Sequence, residues 1–395
     1  MNVCLRLKLI PIYALTFLME SVSWMFRFLI PLHLVQLGAS PLAVGTVMGG
    51  YAITQAISAL MFGYLSDRVG RGPLIILGLS LITVSSFSIP SRTSIIDLFP
   101  LYTLMALGLG SMGPSLDASV ADNVKSSRIG SAFGMQTTSI HMGTSLGPAV
   151  GGFVAAWIGL VGSMYFAAFF SLIPFVLLPF AFPLLRTGRK KISTRARSLR
   201  ALPINEGTVR GWIGFVTSFT LWGGVATFLP IYGREVGLDI SVIGSIFAFT
   251  GVATLLSRIP FGILLDKIRR ELVMIVFGMI IATLAVSLIG YVSNPLFLTI
   301  ILVTLGVSRS ATNLGSHVLV AVSAGEEQRG AAMGTASASR NGGASFGPIL
   351  MGAMLGFQGY AMAFGILAVT SLAGLFSVLV VMRFRKTRRM TRLNV

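Results

Sequence analysis

Long apolar runs separated by short polar turns recur along the whole chain. Each run is about 20 residues long, which is the length that an α-helix needs to cross the hydrocarbon core of a bilayer. Hydropathy and turn signals predict an all-α membrane protein with twelve transmembrane helices, called spans one to twelve. The predicted spans are 9–32, 42–65, 73–90, 98–120, 131–157, 164–185, 211–232, 241–265, 272–292, 296–320, 330–357 and 362–382.

Composition supports the same fold class. Hydrophobic residues make up 54% of the chain and charged residues only 11%, whereas charged residues make up about 25% of a typical soluble domain. The sequence has no phosphate-binding G-x-x-x-x-G-K-[ST] loop, no metal-ligand cluster and no catalytic constellation. We therefore expect a protein that is not an enzyme and needs no metal or cofactor, with a proton gradient as its energy source.

The basic residues lie mainly on one side of the predicted spans. Most of the 30 Lys and Arg residues fall on the side of the N-terminus, whereas the opposite side holds only Arg92 and Arg234. Loops rich in Lys and Arg face the cytoplasm. The pattern predicts a multi-pass protein of the cell membrane with both termini in the cytoplasm. It also explains the net charge of +18 without a nucleic-acid partner.

The two halves of the chain match at an offset of 199–200 residues. Parallel repeats related by an axis along the membrane normal are one plan of secondary transporters. We expect two six-helix bundles related by pseudo-two-fold symmetry, at 1–185 and 211–395, a basic cytoplasmic linker at 186–210 and a basic tail. Matched pairs include Pro31 with Pro230, Gly38 with Gly237, Gly63 with Gly262, Asp67 with Asp266, and Gly147 with Gly347.

Two motifs carry a family resemblance that covers essentially the whole chain. The segment 63–71 reads G-Y-L-S-D-R-V-G-R and resembles the loop signature G-x-x-x-D-R-x-G-R of the major facilitator superfamily. A degraded copy, G-I-L-L-D-K-I-R-R, follows span eight at 262–270. In span five, the segment 143–152 resembles the signature of the superfamily's drug–proton antiporters. Those antiporters also carry an arginine in span four, and the stretch 104–110 has none.

The resemblance implies a role for each motif. The loop motif implies a cytoplasmic gate that latches the two halves in the outward-open state, although its charges could instead only set the orientation of the loop. The gate candidates are Gly63, Asp67, Arg68, Gly70, Arg71, Asp266, Arg269 and Arg270. The span-five motif implies a packing interface with span eight and a hinge. Its candidates are Gly143, Gly147, Pro148, Gly151, Gly152, Gly347 and Pro348.

Acidic residues inside the spans are candidates for proton coupling, because charge at membrane depth is costly and usually functional. Glu20 lies near the middle of span one and is the first candidate. It could instead be a static counter-ion for an arginine. Asp117, nearer the cytoplasmic side of span four, is the second candidate.

Other polar and aromatic residues predict a substrate cavity. By the resemblance, spans one, four, seven and ten line a cavity between the halves. Arginine suits carboxylate and phosphate, so the basic residues indicate a net positive cavity. Arg27 could line its outer part or snorkel outward, and Arg258 could be a gate or snorkel. The cavity candidates are Glu20, Trp24, Arg27, His141, Trp222, Arg309, Asn313, His317 and Arg340.

Three functions follow from these patterns. The leading one is a monomeric secondary active transporter that exports small drug-like or amphipathic molecules, coupled to protons, by rocker-switch alternating access. The second, which depends on Arg309 and Arg340, is proton-coupled transport of an organic anion, including uptake. The third is a transporter-like receptor or lipid-handling protein without coupled transport.

Overall fold

The structure is a computed structural model of the chain and describes residues 3–124, 129–185 and 204–380. Side chains are described within these ranges except at 3–8, 67, 130 and 325–331. Most of the predicted linker and the tail therefore lie outside the described residues. Twelve α-helices and one short 3-10 helix at Ile89–Ser91 form the described part. The α-helices are α1 (Val3–Gln36), α2 (Pro41–Val69), α3 (Arg71–Ser88), α4 (Ile95–Asp122), α5 (Ile129–Phe170), α6 (Ile173–Leu185), α7 (Glu206–Glu235), α8 (Ile240–Ile268), α9 (Glu271–Ile289), α10 (Pro295–Ser323), α11 (Gly325–Leu355) and α12 (Tyr360–Val380).

The number of membrane spans stays a prediction. Ten segments of the described residues are long and apolar enough to cross a membrane. One of them, Ser131–Leu185, comprises the predicted spans five and six, because helical structure continues from α5 past a kink at Gly159, where φ is 79°. A glycine tolerates this positive φ without a steric penalty. The helix α11 is not among the ten segments, because its sequence is rich in Gly, Ala and Ser.

Local turn chemistry repeats between the two halves of the sequence. Gly38 follows α1 with φ 78°, and Gly237 follows α7 with φ 84°. Gly70 separates α2 from α3 with φ 104°, and Arg269 stands at the same place after α8 with φ 51°. Arg269 thus adopts a left-handed conformation that glycine normally occupies. The turns therefore follow the sequence repeat even where the residue type differs.

The described residues form two compact units. The first comprises those of Met1–Ala196 and Leu229–Val252, and the second those of Arg197–Phe228 and Ala253–Val395. In the first unit, α1 packs along α5, and α2 and α3 both pack on α4. In the second unit, α9 packs on α10 and α12, and α11 packs on the same two helices. The predicted domain boundaries stay a prediction.

Candidate functional site

Glu20 lies on α1 and is half-buried. Its carboxylate accepts a hydrogen bond from the side chain of Trp24, one turn further along the helix, and interacts electrostatically with Arg27 and Asp117. The guanidinium of Arg27 lies 5.0 Å from the centroid of the Trp24 ring. These four residues, all in the first unit, are called the α1 acidic site below.

Arg27 makes its contacts inside the first unit, so the structure does not show outward snorkelling, which was one of the two alternatives left by the sequence. Its Nη2 donates a hydrogen bond to Gln55 Oε1 at 2.7 Å. Its guanidinium carbon lies 4.6 Å from the centroid of the Tyr51 ring, and this ring stacks on Tyr102 at 4.3 Å. An amide and aromatic faces can stabilise a buried guanidinium in place of water. These contacts stabilise the Arg27 side chain inside the first unit.

Asp117 is placed on α4 and is held by a buried amide of α5. The Nε2 atom of Gln136 donates to Asp117 Oδ1 at 3.3 Å and to Thr16 Oγ1 of α1 at 3.0 Å. This amide therefore links α5 to the two helices that carry Glu20 and Asp117. The two proton-coupling candidates consequently belong to one connected polar region of the first unit.

Sequence reasoning missed the residues that surround these charges. Gln55 and Gln136 were detectable, because amide side chains inside apolar spans are unusual and mark polar interiors. Tyr51 and Tyr102 gave no such signal, since aromatic residues also fill ordinary cores. His141 was predicted and is half-buried on α5, where its carbonyl accepts a hydrogen bond from Ser145 Oγ at 2.7 Å.

Three arginines of the second unit, Arg258, Arg309 and Arg340, interact electrostatically through Arg258 and are called the arginine cluster below. They lie on α8, α10 and α11, and each is half-buried. Arg258 interacts electrostatically with both of the others. Arg258, for which the sequence suggested a gate or a snorkelling role, thus stands within electrostatic range of both predicted cavity arginines. The cavity itself stays a prediction.

The other predicted residues of the second unit surround the arginine cluster. Arg309 stacks over Trp222 of α7, with 4.1 Å between the guanidinium carbon and the ring centroid. Arg340 Nη1 lies 3.4 Å from His317 Nε2 on α10, and Arg340 Nη2 donates to Ser337 Oγ at 3.1 Å. Asn313, one turn after Arg309, has a buried Oδ1 without a hydrogen-bond partner.

The loop motif ties three helices of the first unit together. Arg71, the first residue of α3, donates from Nη1 to Ser66 Oγ of α2 at 2.8 Å. Its Nε lies 3.4 Å from Asp122 Oδ2 of α4. The side chain of Asp67 lies outside the described residues. The predicted latch between the two halves stays a prediction.

The remaining gate candidates occupy the turns after α2 and α8. Arg68 hydrogen-bonds the Tyr64 hydroxyl and stacks over its ring at 4.5 Å. Gly63 faces α4, since a Cβ there would lie 3.7 Å from Pro114 Cβ. Gly70 adopts the positive φ given above. The degraded copy places three exposed candidates, Asp266, Arg269 and Arg270, around the turn between α8 and α9.

The span-five glycines bring α5 onto α1 rather than mainly onto α8. A Cβ at Gly143 would lie 2.7 Å from Glu20 Cβ, and one at Gly147 would lie 2.6 Å from Ser21 O. Gly151 faces Met25 of the same helix at 3.6 Å. The expected interface with span eight is therefore wrong for these three glycines. Small residues permit such close helix contact.

The expected partner α8 is contacted by two other residues of the motif, Pro148 and Gly152. A Cβ at Gly152 would lie 2.6 Å from Ile240 O, and one at Gly244 would lie 2.7 Å from Pro148 O. Ile240 and Gly244 belong to the first unit. In the second unit, α11 approaches α7 in a similar way. A Cβ at Gly347 would lie 2.8 Å from Gly224 N of the α7 backbone, and Pro348 lies beside Gly223.

A separate apolar cavity of about 370 Å³ lies between α7, α11 and α12 of the second unit. None of the predicted site residues lines it. Among the described residues, no group of three or more His, Cys, Asp or Glu side chains could hold a metal ion.

Comparison with known proteins gives a consistent family. Residues 12–308 and 211–394 match the Major Facilitator Superfamily. An uncharacterized MFS-type transporter of Methanocaldococcus jannaschii is 24% identical over 353 residues, with 87% of this chain and 90% of that protein covered. Multidrug resistance protein MdtG of Salmonella typhimurium is 27% identical over 375 residues, with 88% and 91% covered.

Solved structures share the fold. A crystal structure of the nucleoside transporter NupG superposes with a TM-score of 0.78 at 14% identity, covering 95% of this chain and all of that one. A bacterial homolog of the human lysosomal transporter Spinster, in an inward-facing and unoccupied conformation, gives a TM-score of 0.73 at 14% identity, with 96% of each chain covered.

Proposed function

Because the chain belongs to the Major Facilitator Superfamily, we propose that it is a secondary active transporter that exports small amphipathic molecules in exchange for protons. It is a multi-pass membrane transporter and not an enzyme. The proposal concerns the finer points: substrates of the drug-like kind, proton coupling and the outward direction. It also places a monomer in the cell membrane with both termini in the cytoplasm, as the distribution of basic residues predicts.

The proposed proton coupling rests on one observation, which is that Glu20 of the α1 acidic site is half-buried. Acidic side chains inside membrane spans commonly form proton relays. When Glu20 is ionised, it accepts the hydrogen bond from Trp24 and attracts Arg27. When it is protonated, both interactions weaken. Proton exchange at Glu20 would therefore change the electrostatic attraction between Glu20 and Arg27. Arg27 in turn connects α1 to α2 through its hydrogen bond to Gln55.

The direction and the substrate class draw support from the relatives. Proteins named multidrug resistance protein MdtG match along 88% of this chain in the Salmonella typhimurium example. The span-five segment 143–152 also resembles the signature of drug–proton antiporters. The second candidate, transport of an organic anion, draws support from the arginine cluster.

Proteoliposomes test the direction and the coupling together. Vesicles that contain the purified protein are loaded with neutral, cationic or anionic fluorescent compounds, and the bath is then acidified. Export by antiport predicts faster efflux of at least one compound than at symmetrical pH. If acidification instead drives uptake of a compound from the bath, the protein is a symporter. The direction proposed here is then wrong.

A further inference from the structure

Two members of the arginine cluster, Arg258 and Arg309, have no carboxylate partner in the described part of the second unit. Neither Arg258 nor Arg309 has an ion pair or hydrogen-bond partner among the residues whose side chains are described. The reason lies in the sequence, because α7–α12 carry acidic residues only in their terminal turns. Uncompensated charge inside a membrane protein is costly and usually marks a functional site.

The geometry around Arg309 resembles a site prepared for an anion. Its guanidinium stacks on Trp222 at 4.1 Å and lies 5.9 Å from Phe219. Stacking on a ring face leaves the N–H groups at the edge of the guanidinium available for hydrogen bonds. Its Nε is buried and has no hydrogen-bond partner. A buried donor of this kind costs free energy unless a ligand accepts from it.

The rest of the site adds polar groups and aromatic surface. Arg340 lies over the Phe215 ring at 5.7 Å, and this ring meets His317 edge-on at 4.7 Å. Phe215, Phe219 and Trp222 offer apolar faces beside the positive charges. The site therefore combines groups that suit both an oxyanion and an aromatic or aliphatic body.

We propose that the arginine cluster binds the oxyanion group of a small amphipathic organic anion, with Arg309 as the main ligand. A carboxylate, phosphate or phosphonate fits, because two parallel N–H groups of a guanidinium match two oxygens of such a group. Trp222 holds the guanidinium plane in position, and the neighbouring Phe rings contact the apolar part. The inference rests on the proposed function only where it identifies this anion as a transported substrate.

Calorimetric titration of the purified full chain in phosphatidylcholine nanodiscs, at one pH and without a gradient, tests the site. The probes are naphthoate and naphthamide, which have similar shapes and differ in charge. The wild type should bind naphthoate about tenfold more tightly, since hydrogen bonds to charged groups are the stronger ones. Arg309→Gln should remove this preference, and Arg309→Lys should keep part of it. Equal affinity of the wild type for both probes would overturn the proposal.

A matched control separates local from general effects of charge. Arg92 is exposed and lies in the first unit, so Arg92→Gln removes the same charge far along the chain from the arginine cluster. It should leave the preference for naphthoate unchanged, and an equal loss in Arg92→Gln and Arg309→Gln contradicts the proposal. If size-exclusion chromatography shows that Arg309→Gln does not fold, Arg258→Gln is used instead. We expect Arg258→Gln to weaken the preference for naphthoate, and an unchanged preference would contradict the proposal.

Nanodiscs that contain phosphatidylglycerol distinguish a soluble anion from a lipid headgroup. Naphthoate affinity that is the same in both kinds of nanodisc supports a small-molecule anion. If phosphatidylglycerol instead weakens the binding of naphthoate, and this competition disappears in Arg309→Gln, the arginine cluster binds a lipid headgroup. That result overturns the small-molecule proposal. Because binding is measured without a proton gradient, a protein that binds naphthoate at Arg309 but shows no proton-driven transport refutes only the proposed function.

Discussion

Gly143 of α5 leaves no room for a side chain beside Glu20 of α1. A Cβ at position 143 would lie 2.7 Å from Glu20 Cβ and 2.8 Å from Phe17 O. The segment that resembles the antiporter signature thus packs directly on the turn that carries the candidate proton carrier. Its role in the first unit is to set the position of Glu20, in addition to the hinge expected from Pro148.

Gly143→Ala should therefore reduce transport. The added methyl group must push α1 away from α5, which costs about 1–3 kcal/mol of stability when a close-packed site is overfilled. Transport rates in proteoliposomes should fall several-fold. Gly134→Ala on the same helix is the control, because a Cβ there meets nothing within 4 Å. Similar losses in both variants would show that the packing at Glu20 is unimportant.

Trp24→Phe should change coupling more than stability. Phenylalanine keeps an aromatic face for Arg27 but lacks the indole N–H that Glu20 accepts from. One lost hydrogen bond to a charged group is worth about 1.5–3 kcal/mol, so the protonation of Glu20 should respond. The ratio of protons to substrate, measured with a pH dye inside the vesicles, should fall below that of the wild type. An unchanged ratio would remove Trp24 from the coupling mechanism.

Gln55→Leu should destabilise the first unit. The variant removes the acceptor that lies 2.7 Å from Arg27 Nη2 and leaves a charged donor without its bond, at a cost of about 1.5–3 kcal/mol. The unfolding midpoint in detergent should drop. Gln358→Leu is the matched control, since Gln358 is exposed, and its midpoint should stay near that of the wild type. A drop of equal size in the control would contradict the role given to Gln55.

Substitutions at the turns after α2 and α8 should differ in their effect on the unfolding midpoint. Gly70 has φ 104° and ψ 162°, a region that side chains avoid at a cost of about 1–3 kcal/mol. Gly70→Ala should thus lower the unfolding midpoint. Arg269→Gly should not lower it, because glycine adopts the φ of 51° without strain. A larger loss in Arg269→Gly than in Gly70→Ala would mean that the Arg269 side chain makes an essential contact.

The sequence predicted elements and residue types better than it predicted partners. Apolar runs and the repeat were sufficient to place helices, because span length and turn chemistry are local properties. The neighbours of Arg27 were not predictable, since Gln55 and Tyr102 come from α2 and α4. The contact of Gly143 with α1 likewise depends on tertiary packing. Arg258 and Arg309 are far apart in sequence, and only the fold brings them into one cluster.

The most direct test of proton-coupled export compares wild type, Glu20→Gln and Glu235→Gln in proteoliposomes with a bath one pH unit more acidic than the lumen. Glu235 is exposed and controls for the loss of one acid. One pH unit supplies about 1.4 kcal/mol per proton, which for one-to-one exchange sustains about a tenfold substrate gradient. The account predicts such a gradient, with the bath enriched in substrate, for wild type and Glu235→Gln, and simple equilibration for Glu20→Gln. A gradient maintained by Glu20→Gln as well as by the wild type would contradict it.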